Sequence, residues 1–260
     1  MAQRAPRVVV TRPASEAVRW AQALRENGIQ AECIPLIDIA PMAEDTALQA
    51  AWHALAGYAA VMFVSANAVQ HFMALRPAGF ALQAQAWGTG PGTQAALCAA
   101  GWPAALIRCP PADAQSFDSE ALWTLVKADV LGWAGRSVLI VRGADAQGRL
   151  AGRDWLAGQL QDAGVQVVQC AAYIRCVPQP GAAQLAMARE ALHDGSWWLF
   201  SSSEAAQNLA AWLPADIGAP SRALATHPRI AERLQQQGWG RVERVPAELQ
   251  AQIASIKCLT

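Results

Sequence analysis

The strongest constraint on the fold is an internal repeat that spans most of the 260-residue chain. The stretch that begins at Phe63 matches the stretch that begins at Phe200, 137 positions further along. The segment from Pro91 to Trp102 matches Pro228 to Trp239 at the same shift. Arg12 matches Arg142 at a shift of 130, which predicts about six inserted residues after Arg142. Such a repeat indicates one structural arrangement built twice, in two similar units of about 130 residues.

Each unit alternates short apolar runs with amphipathic segments. Val8–Thr11 and Ala60–Ser65 are runs of the kind found in buried strands. Glu16–Asn27 carries apolar residues at helical spacing and is followed by Gly28, a typical helix end. One strand is predicted over Cys33–Ile39. Alternation of this kind predicts an α/β fold of two similar lobes, in which parallel sheets are flanked by helices.

Charge and hydropathy exclude several classes of partner. The chain has 20 Lys and Arg against 20 Asp and Glu, and a net charge of zero argues against a general nucleic-acid-binding surface. No apolar run reaches the roughly 18 residues of a membrane span. The residues before Val8 lack the apolar stretch of a secretory signal. We therefore expect a cytoplasmic protein with neither nucleic-acid nor membrane partners.

The cysteines and histidines show no metal-binding spacing. None of the six cysteines forms a C-x-x-C pair, and the four histidines form no H-x-x-H or H-E-x-x-H pattern. Most of the cysteines lie in apolar runs, which favours buried free thiols in a reducing compartment. The sequence therefore predicts no metal site.

Polar residues follow several predicted strands at the points where ligands bind in open parallel sheets. Helix N-termini at such points offer free N–H groups and favour negative charge. The candidates for binding an anionic ligand are Arg12, Ser65, Asn67, Thr93, Arg142, Ser202 and Ser203. Ser, Thr and Asn are also common helix N-caps, so a purely structural role stays open for each. Two units with the same polar turns predict one ligand held in a cleft between two lobes.

Two other kinds of function are compatible with these residues. The loop Gly88–Gly92 reads G-x-G-x-G, which differs from the dinucleotide fingerprint and lacks the acidic residue that normally follows it. A nucleotide-dependent α/β enzyme is therefore one alternative. A two-lobed binding module without catalytic activity, such as a sensor, is the other.

The order of several motifs resembles the uroporphyrinogen-III synthase family. The motifs are Val10-Thr11-Arg12-Pro13, Phe63 to Val69, Gly90 to Thr93, Leu139 to Gly143 followed by Gly148-Arg149, Tyr173 with Arg175, and Phe200 to Ser203. The resemblance covers Val8 to about Ile253. It implies a discontinuous first lobe over residues 1–38 and 174–260, and a second lobe over residues 39–173. A two-segment β hinge, Leu36–Pro41 with Tyr173–Pro178, would join the lobes.

The resemblance also implies a reaction and roles for individual residues. Enzymes of the family cyclise hydroxymethylbilane, a linear tetrapyrrole with eight carboxylates, by losing water and inverting ring D. Neither a cofactor nor a metal is implied, and the protein is expected to be a monomer. Tyr173 matches the catalytic tyrosine, which would hydrogen-bond the departing hydroxyl group. The substrate carboxylates would be bound at Arg12, Ser65, Asn67, Thr93, Arg142, Ser202 and Ser203. Ile230 stands where some family members carry a second-lobe threonine.

Overall fold

The computed structural model describes residues 7–111, 113, 114 and 116–259. These residues form two compact units. The first unit contains the described residues up to Asp38 and those from Cys176 onward, and the second contains Ile39–Arg175.

Strands and helices alternate along almost the whole chain. The strands are β1 (Val8–Val10), β2 (Ala31–Cys33), β3 (Asp38–Pro41), β4 (Tyr58–Phe63), β5 (Gln85–Gly88), β6 (Ile107–Arg108), β7 (Ser137–Ala144), β8 (Gln166–Cys176), β9 (Trp197–Phe200), β10 (Arg222–Ala225) and β11 (Arg241–Arg244). The helices are α1 (Ala14–Glu26), α2 (Thr46–His53), α3 (Ala66–Met73), α4 (Pro91–Ala99), α5 (Ser119–Val130), α6 (Trp155–Asp162), α7 (Ala182–His193), α8 (Ser203–Trp212), α9 (Pro228–Gln236) and α10 (Leu249–Leu259). Short 3-10 turns precede β4 and β6.

The first unit contains a five-stranded sheet in the order β11-β10-β9-β1-β2, and all four pairings are parallel. Val8 and Val10 face a core formed with α1 and α10, in which Trp20 and Ile253 are buried. Alternate strand residues point to opposite faces of a sheet. On the other face, the Trp198 indole donates a hydrogen bond to the carbonyl of Ala191 in α7.

The second unit contains a six-stranded sheet in the order β3-β8-β7-β4-β5-β6. The pairings from β8 to β6 are parallel. Val61 and Phe63 of β4 pack with helices α2, α3 and α4 on one face. Met62, between them, packs on the other face with α5 and α6. The prediction of an α/β fold with parallel sheets flanked by helices is confirmed.

Both sheets share one arrangement of strands. The first reads β2-β1-β9-β10-β11 from its β2 edge, and the second reads β8-β7-β4-β5-β6 once β3 is set aside. In the second sheet the chain proceeds from β4 through β5 to the β6 edge, and from β7 to β8 it proceeds toward the opposite edge. The strand order therefore reverses between the neighbouring strands β4 and β7. Helix α3 leaves β4 toward one face, whereas α6 follows β7 on the opposite face. Such a switch point opens a crevice at the carboxyl ends of the strands.

The predicted strand over Cys33–Ile39 is wrong, because two short strands stand in its place. Pro35 has no N–H to donate. Its neighbours Ile34 and Leu36 donate to the carbonyls of Val10 and Thr11, at the end of β1. By contrast, β8 continues without a break from Gln166 to Cys176. The two-segment hinge and the cleft between two lobes stay predictions.

Among the described residues, no helix combines the length and apolar character that a membrane crossing requires.

Candidate functional site

A cleft of about 300 Å³ lies at the switch point of the second unit's sheet. The residues that line it include Ser65 after β4, Arg142 and Gly143 in β7, and Tyr173 and Arg175 in β8. Parallel strands place their carboxyl ends at the same edge of a sheet, so residues far apart in sequence meet there. A second depression, beside Leu55 and Phe80, is lined by apolar side chains and Gln83 and contains no acid, base or nucleophile.

Tyr173 is the most buried titratable side chain of the cleft apart from Arg142, with 4% of its surface exposed. It pairs across the sheet with Gly143 of β7, beside a register shift between Arg142 and Gly143. Its ring centroid lies 5.7 Å from that of His71 on α3. Its hydroxyl oxygen lies 3.1 Å from Ser65 Oγ. His71 therefore contacts the ring of Tyr173 and Ser65 contacts its hydroxyl group. The tyrosine still lines the cleft.

Ser65 has two roles at once. It is the N-cap of α3, and its Oγ accepts a hydrogen bond from the backbone N–H of Ala68 at 3.2 Å. A hydroxyl has one proton and two lone pairs. With one lone pair used by the helix, Ser65 can donate its proton to the Tyr173 oxygen, which leaves the tyrosine proton free to point into the cleft.

Arg142 is buried, with 3% of its side chain exposed. Its Nη1 donates to Asp154 Oδ1 at 2.5 Å and to Gln169 Oε1 at 2.7 Å, and its Nη2 donates to the carbonyl of Arg153 at 3.2 Å. The hydrogen bond from Arg142, with a smaller one from Gln169, lowers the pKa of Asp154. Only the buried Nε has no hydrogen-bond partner. Three of the five N–H groups of the guanidinium are thus used within the protein, mainly in an internal ion pair.

The predicted insertion after Arg142 forms a short hairpin that supplies one wall of the cleft. Ala144 and Leu150 form an isolated antiparallel bridge, and the N–H of Ala151 donates to the carbonyl of Gly143 at 2.9 Å. Gly152 then passes Arg142 so closely that a Cβ there would lie 2.7 Å from Nη2. Its φ of 103° also favours glycine.

Asn67 and Thr93 lie outside the lining of the cleft, as far as the described residues define it. Asn67 lies in the first turn of α3 and is 8% exposed. Thr93 is 5% exposed and packs against Gly88, where a Cβ would lie 3.0 Å from Thr93 Cγ2. Among the described residues that line the cleft, the threonine is Thr89.

Five polar or charged lining residues are not among the predicted site residues, namely Thr89, Asp118, Ser119, Arg153 and Arg175. Thr89 directly follows β5, so its position after a strand was an available signal. Arg175 stands two positions after Tyr173, within the motif that carries the family resemblance. Arg153 follows the inserted segment and forms a two-point ion pair with Glu120. No sequence pattern indicates that contact.

The remaining predicted residues lie in the first unit, at the ends of β1 and β9. The Arg12 guanidinium lies 3.9 Å from the Trp20 ring centre and donates to Glu16 Oε2 at 3.2 Å. Burial lowers the pKa of Arg12, although Glu16 acts in the opposite direction. Ser202 is the N-cap of α8, where its Oγ accepts from the N–H of Glu204 at 3.2 Å, and Ser203 begins the helix.

At the position that matches Thr93, the first unit has a different helix start. Ile230 is 5% exposed and packs in the interior. His227 is the N-cap of α9, and its Nδ1 accepts from the N–H of Arg229 at 3.2 Å. Here a histidine ring caps the helix, and an isoleucine takes the buried place of the hydroxyl group.

A polar cleft at the switch point of a parallel sheet is typical of α/β proteins that bind small molecules. Within this class, the family model described as Uroporphyrinogen-III synthase HemD matches residues 18–251. The chain therefore belongs to the uroporphyrinogen-III synthase family. Enzymes of this family are lyases that cyclise hydroxymethylbilane in tetrapyrrole biosynthesis.

Solved structures with this fold include synthases of two bacteria. A mutant uroporphyrinogen III synthase of Thermus thermophilus is 16% identical, with 98% of this chain and 99% of that chain covered and a TM-score of 0.57. The uroporphyrinogen-III synthetase of Helicobacter pylori is 14% identical, with 98% and 100% covered and a TM-score of 0.53. At these identities the likeness concerns the fold.

Proposed function

We propose that this chain cyclises hydroxymethylbilane to uroporphyrinogen III, with loss of one water molecule and inversion of ring D. Membership of the synthase family supports the reaction. The observation that carries the assignment of the site is the buried Tyr173 hydroxyl, which lies 3.1 Å from Ser65 Oγ in the switch-point cleft.

Tyr173 donates a hydrogen bond to the hydroxyl group that leaves the terminal hydroxymethyl carbon. A phenol has an ordinary pKa near 10 and is therefore a proton donor at neutral pH. As the C–O bond breaks, the leaving oxygen takes the Tyr173 proton and departs as water. The phenolate then recovers the proton that the substrate releases when the ring closes. Ser65 donates to the phenol oxygen at the same time, and hydrogen bonds in such a chain strengthen one another.

The other contribution of the cleft is to position the substrate. Without an enzyme, hydroxymethylbilane closes without inversion, so catalysis requires a bound conformation that favours the inverted product. Arg175 and Arg153 line the cleft and are the candidates for binding carboxylates, although Arg153 is paired with Glu120 and the lining also includes Asp118. The Nε of Arg142 offers a further donor for a carboxylate. Carboxylate binding at Arg12, Asn67, Thr93, Ser202 and Ser203 stays a prediction.

The enzyme acts in the cytoplasm as a monomer. All six cysteines are free thiols, as expected in a reducing compartment. Sedimentation equilibrium of the purified chain should give the monomer mass at micromolar concentration, and a stable dimer would contradict this part of the proposal.

The function is tested by turnover of freshly prepared hydroxymethylbilane. Chromatography should show isomer III as the main product with the enzyme and isomer I without it. Heat-denatured enzyme is the matched control. If the native protein yields isomer I at the uncatalysed rate, the chain is not an active synthase, and binding without turnover would favour a sensor.

A further inference from the structure

We propose that Gly143 is a positioning residue for Tyr173, because only a residue without a Cβ leaves room for the tyrosine ring. The inference rests on the proposed function for its kinetic part. A Cβ at position 143 would lie 2.7 Å from both Cε2 and Cζ of Tyr173, and 3.0 Å from the hydroxyl oxygen. Carbon atoms in contact normally lie about 3.5 Å apart or more.

The backbone conformation of Gly143 does not explain the glycine. Nine glycines of the described chain have a positive φ, and Gly143 is not among them. It continues strand β7, where residues with side chains are readily accommodated. The close approach of the ring is therefore the feature that requires a residue without a Cβ.

The contacts of Tyr173 leave the ring little room to move away. The residue is 4% exposed and belongs to the core that includes Val141 and Phe72. His71 lies beside its ring, and Ser65 lies at its hydroxyl. A side chain at position 143 would press on Cζ and the hydroxyl end, which is the end proposed to contact the leaving group.

The internal repeat supplies a comparison within the chain. At the shifts that align the two units, Gly143 corresponds to Pro13 and Tyr173 corresponds to Leu36. The first unit therefore has neither the glycine nor the tyrosine at these positions. The pair occurs together in the unit that contains the cleft.

The test compares Gly143→Ala with Gly158→Ala. Gly158 lies in α6, and a Cβ there would meet nothing within 4 Å. We expect Gly143→Ala to lower kcat by about tenfold to a hundredfold with little change in KM, as for a misplaced catalytic group. Gly158→Ala should leave kcat unchanged. In a Tyr173→Phe background, Gly143→Ala should have almost no further effect, because the hydroxyl is already absent.

A spectroscopic measurement separates positioning from general loss of structure. The chain has only two tyrosines, Tyr58 and Tyr173, so labelling tyrosine with ¹³C at Cζ gives two NMR signals. Gly143→Ala should shift the Tyr173 signal and leave the Tyr58 signal in place. Unchanged Tyr173 signals, or an equal loss of kcat in the Tyr173→Phe background, would overturn the proposal.

A thermal measurement keeps the proposal testable if Gly143→Ala folds poorly. Tyr173→Leu removes the atoms that the new Cβ would meet. The loss of Tm caused by Gly143→Ala should therefore be much smaller in the Tyr173→Leu background, and an equal loss would contradict the proposed contact. The NMR and thermal results do not depend on turnover, so a failure of the synthase assay is distinguishable from a failure of this inference.

Discussion

The hydroxyl oxygen of Tyr173 lies 3.1 Å from Ser65 Oγ, and the same oxygen of Ser65 accepts the N–H of Ala68 at the start of α3. One serine therefore links a helix N-terminus to the tyrosine proposed to act in catalysis. The helix N–H uses one lone pair of the serine, and the serine proton remains available for donation to the phenol oxygen. The structure thus suggests a role for Ser65 that differs from the carboxylate binding expected from sequence.

Ser65→Ala should lower both kcat and stability. The variant removes the donor to Tyr173, and a lost hydrogen bond of this kind corresponds to a several-fold decrease in kcat. It also removes the helix cap, which typically costs about 1 kcal/mol of the free energy of unfolding. Steady-state kinetics and urea unfolding measure the two effects.

Ser65→Thr is the matched control, because threonine keeps the hydroxyl and also caps helices. It should retain most of kcat and stability. Equal kcat values for Ser65→Ala and the unchanged enzyme would remove Ser65 from the proposed mechanism.

Asp154→Asn should reduce the loss of stability that the protein shows at low pH. The hydrogen bond from Arg142 lowers the pKa of Asp154 in the folded state. The contribution of the Asp154 carboxylate to the free energy of unfolding is therefore fully present above about pH 4, the ordinary pKa of an aspartate. It is lost as the pH falls toward the lowered pKa. Urea unfolding between pH 7 and pH 3 should show the unchanged protein losing its advantage over the variant at the acid end.

Asp162→Asn provides a control on the same helix, α6. It removes a carboxylate but leaves the Arg142–Asp154 ion pair in place, so it should keep the loss of stability at the acid end. If Asp154→Asn and the unchanged protein differ by a constant amount down to pH 3, the ion pair with Arg142 does not titrate as proposed.

The fold was largely predictable because burial of parallel strands leaves a clear pattern in the sequence. Val8–Val10 and Tyr58–Phe63 are almost continuously apolar, as expected for strands covered on both faces. The break at Pro35 was missed because the flanking residues are also apolar, and the effect of the missing N–H depends on which strand lies beside it.

The site was predictable only in part. Ser65 and Tyr173 were identified separately, but their hydrogen bond depends on the order of strands β4, β7 and β8. Arg142 was expected to be available to a ligand. Its contacts are with Asp154, at the start of α6, and with Gln169 in the neighbouring strand β8, and no local pattern indicates them.

The cysteines should differ widely in their rates of alkylation. Burial raises the pKa of Cys170 to about 12 and that of Cys109 to about 11. The expectation of buried thiols holds only for Cys170, since Cys98 and Cys258 are exposed and the other three cysteines are partly buried. At pH 8, Cys170 should react with iodoacetamide on the order of a thousandfold more slowly than an ordinary exposed thiol. Peptide mass spectrometry measures each site, and rapid alkylation of Cys170 in the folded protein would contradict its burial.

The most direct test of the account is the rate of isomer III formation by Tyr173→Phe. Tyr58→Phe is the control, because Tyr58 is the only other tyrosine and does not line the cleft. We predict that Tyr173→Phe keeps the fold and the product isomer but loses at least about tenfold in kcat, as expected when a proton donor is removed. Tyr58→Phe should retain the full rate. An unchanged kcat for Tyr173→Phe would contradict the proposed role of Tyr173 and with it the assignment of the cleft.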